Sequence, residues 1–338
     1  MMKRVFALVL LFATASTLGG QQPDPQCAPG STLNANYYTS DACQKAVDLF
    51  KYMAPQLGVS LTGGNAILGT GGTVGGLGHA RFELRANGLW GSVPNVQKVP
   101  PQAGPYQSST YTTKTQILGL PAASAEIGIF KGLSLPLTSV GGIDALVTAT
   151  YIPDVTADQV SVHATSGNLK WGYGARLGLL QESLLVPGVS VTWMRRDLPT
   201  INVSGTVPTG NGTQTTRQVN NLSEKTTAWR LVASKSLVLF KLAAGFGQDK
   251  YESNADVNAT VNFSGIFSGS RTPFNISQNL TRTTYFGEAS MNFLLFRLTG
   301  EIGRVTGGSI PTFNKFDTPA DNGRLYGSVG LTVDFPPF

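Results

Sequence analysis

The stretch LKWGYGARLGLL, residues 169–180, alternates with a strict period of two. Leu169, Trp171, Tyr173, Ala175, Leu177 and Leu179 are apolar, and Lys170, Gly172, Gly174 and Arg176 stand between them. This spacing predicts a β-strand with one apolar face and one polar or open face. The same alternation returns in HARFELRAN from His79, DALVTATYI from Asp144, GVSVTWMRR from Gly188 and TAWRLVAS from Thr227. It returns again in VLFKLAAGF from Val238, TRTTYFGEASMNF from Thr281, FRLTGEIGR from Phe296 and RLYGSVGLTVDF from Arg324. No helical pattern interrupts this succession, and no run of 18 apolar residues follows the N-terminal segment, so no helix is expected to cross a membrane. The chain is therefore all-β over most of its length. Its apolar faces must meet either a protein core or lipid.

The connections separate those two cases. Spans 198–225, 250–281 and 306–323 are long, whereas QESLLVPG at 181–188, SKSL at 234–237 and the link at Leu294–Leu295 are short. Long and short links at alternating ends belong to a transmembrane antiparallel up-and-down β-barrel with its short turns in the periplasm. Composition agrees, since only 13% of residues are charged where about 25% is usual, and 40 of 338 are Gly. Nine strands are distinct after Ala123, and 66–74, 79–90 and 109–119 bring the expected number to about 12, within 10–14.

The N-terminus reads differently. Lys3 and Arg4 precede an apolar run from Val5 to Ala13, and small residues lead to Gly19 and Gly20. That is the layout of a signal peptide over residues 1–20. Residues 21–57 are expected to hold an irregular segment and an amphipathic helix, and 58–338 the barrel. In SDACQKAVDLFKYMA, Cys43, Ala46, Val47, Phe50 and Met53 share one face, with Ser40 as N-cap and Pro55 as the stop. This helix is either a small surface element or a plug in the barrel mouth. Cys27 and Cys43 are the only cysteines, and export favours a disulfide between them over a metal site. The glycine-rich GGNAILGTGGTVGGLG, residues 63–78, has neither the spacing nor the G-K-[ST] of a phosphate loop. It is expected as Gly-rich strand, where curvature or a packed plug brings backbones close.

The C-terminal LYGSVGLTVDF resembles the closing strand of bacterial outer-membrane proteins, with Pro336, Pro337 and Phe338 as an extra tail. Together with the export signal and plug-like helix, it resembles the long-chain fatty-acid transporter (FadL-type) superfamily. The resemblance implies a barrel in the outer membrane of a Gram-negative bacterium and passive transport of a small or hydrophobic molecule.

Turning the apolar faces outward sends Arg81, Glu83, Arg85, Lys170, Arg176 and Arg230 into the lumen, with Lys241, Arg297, Glu301 and Arg324. His79, Arg282, Glu288 and Asp334 follow them. A charge facing lipid near midplane would cost about 2–4 kcal/mol, which favours this assignment. Such a lumen either attracts anionic solutes or braces the wall. The alternative function is a structural or adhesive surface protein acting through its long loops. A third is a lipid-modifying enzyme using His163, but Ser166 is three residues away, which on a strand puts it on the opposite face. The chain is expected not to be an enzyme and to need no metal or cofactor. Expected partners are outer-membrane lipid, the barrel-assembly machinery and a small or hydrophobic solute, not nucleic acid. Seven N-x-[ST] motifs start at Asn202, Asn211, Asn221, Asn258, Asn262, Asn275 and Asn279. They are read as the composition of Asn-, Ser- and Thr-rich extracellular loops.

Overall fold

The computed structural model describes residues 22–30, 34–102, 107–157, 160–209, 213–237, 239–263, 267–293 and 295–336. The expected signal peptide lies outside them. Among the described residues, ten strands pair antiparallel into a closed ring. In chain order these are β1 (Ala80–Pro94), β2 (Thr113–Phe130), β3 (Gly142–Tyr151), β4 (Leu169–Leu180) and β5 (Gly188–Asp197). They continue as β6 (Thr213–Ser236), β7 (Phe240–Phe263), β8 (Phe274–Phe293), β9 (Phe296–Val305) and β10 (Arg324–Phe335). Strand β10 closes on β1, with Phe335 opposite Ala80. Ten is the lower end of the expected range. Residues 66–74 run as irregular chain inside the ring, and residues 113–119 belong to the same strand as the segment after Ala123.

Alternation along these strands becomes two opposite surfaces. Leu84 is 66% exposed, Trp171 65%, Tyr173 58% and Ile302 62%, while Arg85, Arg176 and Glu301 between them are buried. So large an apolar exterior over a charged interior is the surface of a barrel that spans a membrane. The closed ring leaves no strand edge in the hydrocarbon, so every backbone group there finds a partner. The strand ends Phe130 and Gly142, Leu180 and Gly188, Ser236 and Phe240, and Phe293 and Phe296 lie at one end, the short-turn end. The strand ends Pro94 and Thr113, Tyr151 and Leu169, Asp197 and Thr213, Phe263 and Phe274, and Val305 and Arg324 lie at the other, the long-loop end.

Strands β6 and β7 have 24 residues each and β8 has 20, where about 9–11 cross a bilayer. They project beyond the ring at the long-loop end. Ile201–Thr209, Val160–Ala164 and Val155–Ala157 extend this sheet on one side, and Phe267–Ser270 pairs with β7 on the other. Spans 198–225 and 250–281 are thus mostly sheet, not loop. The N-x-[ST] motifs at Asn258, Asn275 and Asn279 are themselves period-two: Asn and hydroxyl share the solvent face of a strand.

The interior is filled by one helix, α1 (Asn34–Thr62), packed against β7, β6, β1 and β2. It starts at the long-loop end, and residues 63–79 continue to the short-turn end, where β1 begins. Ala46, Val47 and Phe50 meet Ala255, Val257, Ala259 and Ile276 of the wall. Each large side chain fully buried there contributes about 1.5–3 kcal/mol. The helix runs past Pro55 because the wall encloses it: Gln56 Nε2 reaches Tyr52 O at 3.2 Å and Ser92 O at 3.0 Å. Ser40 is not the cap. It lies inside the helix and donates to Cys27 O. Cys27 and Cys43 form a disulfide with Cα atoms 5.5 Å apart.

Candidate functional site

The end of α1 and the glycine-rich segment form the most densely bonded place in the lumen. A helix C-terminus presents unpaired carbonyls and the negative end of its dipole. Three guanidinium groups from three strands receive it. Arg196 of β5 donates to Thr62 O at 3.2 Å and Ala66 O at 3.3 Å. Arg230 of β6 donates to Gly63 O at 3.0 Å and Gly64 O at 2.6 Å. Arg85 of β1 donates to Asn65 O at 2.7 Å and Ala66 O at 3.3 Å. Farther along, Arg176 of β4 donates to Gly72 O at 3.1 Å.

The N–H side of the segment is held by carboxylates. Glu301 accepts from Gly64 N at 3.1 Å and Asn65 N at 2.7 Å. Glu83 accepts from Leu68 N at 2.6 Å, Glu288 from Gly69 N at 2.8 Å and Asp144 from Val74 N at 3.0 Å. The wall therefore reads this segment's backbone as a neighbouring strand would, but with side chains. Glycine is required for that approach. A Cβ at Gly64 would lie 2.3 Å from Glu301 Oε2, and one at Gly71 would lie 2.8 Å from the backbone N of Ser234. The segment is irregular plug, not strand.

At the short-turn end the charges form an alternating chain across the closure of the ring. Arg297 meets Asp334 at 3.1 Å, Asp334 bonds Arg81, Arg81 meets Glu126 at 2.8 Å, and Glu126 meets Arg176 at 2.6 Å. Buried charges are tolerable only when paired in this way. Lys241 pairs with Glu182 at 2.8 Å at the same end. Arg324 lies higher, donating to Ser92 Oγ at 2.8 Å and Tyr52 Oη at 3.2 Å. Lys170 is half-buried opposite Thr150. His79 lies where the plug enters β1, its N–H bonded to Gly76 O.

Glu126, Asp144, Arg196 and Asp249, which pairs with Arg230 at 2.7 Å, stand outside the residues expected from sequence. Glu126 and Asp144 sit at polar positions of alternating stretches, a signal that was available. Arg196 follows Arg195, and in such a pair sequence gives no facing.

At the long-loop end, loops fold over the helix. Asp48 accepts from Asn314 N at 2.9 Å and Phe313 N at 3.1 Å, and Lys45 donates to Pro100 O at 2.7 Å. Phe316 stacks between Tyr52 and Tyr111, with centroids 4.1 and 5.2 Å away. A concave apolar groove of about 580 Å³ lies on the outer wall of the barrel, between Leu84, Tyr151, Leu169 and Leu331.

His163 Nδ1 lies 2.9 Å from Asp154 Oδ2 on the projecting sheet. Ser166 is beyond the end of that strand, and its Oγ accepts from Thr200 N at 3.0 Å. His163 and Ser166 are thus not brought together as nucleophile and base.

No family model and no curated protein sequence matches the chain. Among solved structures it aligns with a loop L8 deletion mutant of OmpT, an outer membrane protein of Vibrio cholerae. That alignment has 9% identity and a TM-score of 0.20, covering 76% of this chain and 100% of that one. An anion-selective porin from Comamonas acidovorans aligns at 8% identity and a TM-score of 0.16, covering 76% and 99%. OpdQ of Pseudomonas aeruginosa aligns at 7% identity and a TM-score of 0.16, covering 76% and 96%. Likeness at this level carries no argument about function. The expectation that the chain is not an enzyme is withdrawn: the OmpT alignments give it no support and decide neither for nor against catalysis.

Proposed function

We propose that the chain is an outer-membrane protein whose barrel is a closed anchor and whose projecting sheet acts at the cell surface. The observation that carries this reading is the two-sided hold on residues 62–74, carbonyls by arginines and N–H groups by carboxylates. A lumen so bonded is filled, and its charges hold the plug instead of lining a solute path. The long-loop end then faces outward and the short turns face the periplasm. Outer-membrane lipid and the barrel-assembly machinery are the partners this reading requires.

Passive transport, with the finer resemblance to the fatty-acid transporter superfamily, would need the plug to leave its seat. Planar-bilayer recording on the purified protein distinguishes the two. The anchor reading expects no steady conductance from the wild type and a clear conductance once residues 34–74 are deleted. Steady single-channel conductance in the intact protein would overturn it. Cys placed at Lys315, exposed at the long-loop end, should react with a membrane-impermeant maleimide on intact cells.

A further inference from the structure

The outward face of the projecting sheet is unusual in its chemistry. In-register rows cross β6, β7 and β8: Ser223–Asn254–Ser277, Asn220–Asp256–Asn275 and Lys225–Glu252–Asn279. Gln218 and Asn258 form the next row, bonded side chain to side chain at 3.4 Å, and Thr216 with Thr260 the one beyond. The opposite face of β7 is Ala255, Val257, Ala259 and Val261, packed on the helix. Six of the seven N-x-[ST] asparagines lie on this sheet, and Asn211 lies outside the described residues.

Folding accounts for some of these asparagines: Asn221 takes the left-handed conformation at a bulge, Asn202 accepts from its N–H, and Asn221 and Asn275 donate to Asp256. It does not ask for Asn254, Asn262 or Asn279. Asn is depleted in strands, and Thr would serve the same solvent face with better propensity. A face built only for solubility normally carries mixed Lys and Glu. This one carries amides and hydroxyls, groups that both donate and accept, and so match a hydroxyl-rich ligand.

Its lower border indicates where that ligand comes from. The same strands run without a break from the lipid-facing wall. Trp193 of β5 stands opposite Trp229 of β6, the aromatic rung where hydrocarbon ends. The next row up is Arg195–Thr227–Lys250, with Lys225 one row above. Two carboxylates share this level: Glu252, 2.5 Å from Lys250, and Asp197, 3.6 Å from Arg195. Three cations face two anions there, a surplus that suits phosphate. The order from membrane outward is aromatic, cationic, then amide and hydroxyl.

We propose that this face binds the phosphorylated saccharide headgroup of the outer-leaflet glycolipid beside the barrel, its phosphate at Arg195 and Lys250 and its sugars along the Asn rows. The inference rests on the surface reading above, which puts this sheet outside the cell.

The experiment is native mass spectrometry and thermal unfolding of the purified full chain in detergent. The probes are lipopolysaccharide with its core sugars, lipid A without them, and phosphatidylglycerol. Core-bearing lipopolysaccharide should bind at least tenfold more tightly than lipid A, and lipid A more tightly than phosphatidylglycerol. Arg195→Ala with Lys250→Ala should lower both glycolipid affinities. Asn254→Asp with Asn279→Asp should remove the preference for core sugars while the unfolding temperature without lipid stays at the wild-type value. Equal binding of all three lipids, or variants that bind as the wild type does, would overturn the inference. So would a stable dimer that occludes this face. Maleimide labelling at residue 315, exposed at the long-loop end and away from this face, separates the two ideas: labelled cells without glycolipid preference sink only this inference, and unlabelled cells sink the surface reading itself.

Discussion

Asp334 of the last strand stands directly opposite Arg81 of the first, and their side chains are hydrogen-bonded inside the barrel. The ring is thus closed by a charge pair as well as by a backbone ladder. Removing the Asp334 charge leaves Arg81 with Glu126 and takes a carboxylate from Arg297 as well, and breaking a buried pair costs about 3–5 kcal/mol. Asp334→Asn should therefore lower the urea midpoint for unfolding in detergent far more than Lys114→Ala on the exposed part of β2. Equal midpoints would show that the closure does not depend on the pair.

Residues 176 and 177 test the facing of the wall. Arg176 is fully buried and Leu177 is 44% exposed. A membrane-confined probe should label Cys at 177 and spare Cys at 176. Leu177→Arg should impair assembly by about 2–4 kcal/mol if it sits near midplane. Alternation alone makes Arg176 a lumen residue that could be cut back freely. Its bonds to Glu126 and Gly72 reverse that expectation, so Arg176→Ala should also destabilise the barrel.

Gly64 tests the plug. Any side chain there meets the Glu301 carboxylate that it now approaches. Gly64→Val should unseat the segment at about 1–3 kcal/mol, the usual range for overpacking. The readout is protease sensitivity between residues 62 and 74, low in the wild type and high in the variant, with heat-modifiable mobility of the barrel retained.

The disulfide closes a span of 16 residues, for which chain entropy gives about 3 kcal/mol. Denatured protein without reductant should show no reactive thiol. Cys27→Ser with Cys43→Ser should lower the melting temperature of the plug without abolishing the barrel.

On the projecting sheet, the Ala164 N–H donates to Asp154 at 2.8 Å and, with His163, holds this exposed carboxylate below its usual range. A depressed carboxylate contributes stability above its unfolded value, near 3.9, and loses it as pH falls through the lower folded value. In a His163→Gln background, the Ala164 amide resonance should therefore stay constant from pH 7 to about pH 4 and move only below that. Adding Asp154→Asn to that variant should abolish the movement. Movement between pH 5 and 7 would refute the assignment.

What sequence could tell here followed the period of two. Where Leu, Val and aromatic residues alternate with charge, as in β1, β4 and β10, both strand and facing could be read directly. The extension of β6, β7 and β8 could not, because Asn, Ser and Thr carry loop-like composition and the apolar partners are as small as Ala255 and Ala259. Pro55 misled for a related reason. Propensity is a local quantity, and a helix enclosed by a sheet is held by contacts that no local window contains. The glycine-rich segment was legible as a place of close approach. Its hosts, Glu301 and Glu288, are more than two hundred residues away in sequence.

That distance sets an order of events for folding. The hydrogen bond from Gly64 to Glu301 spans 237 residues and the one from Asn314 to Asp48 spans 266. Contacts this remote form late, since the chain between them must first be ordered. The helix begins at the mouth opposite to the one where β1 starts, with its disulfide-tied leader folded over that entrance. Feeding such a bulky end through a finished cylinder is the harder route. The arrangement instead favours a sheet that curls around a passenger already lying in its cradle, with the last hairpin as the clasp.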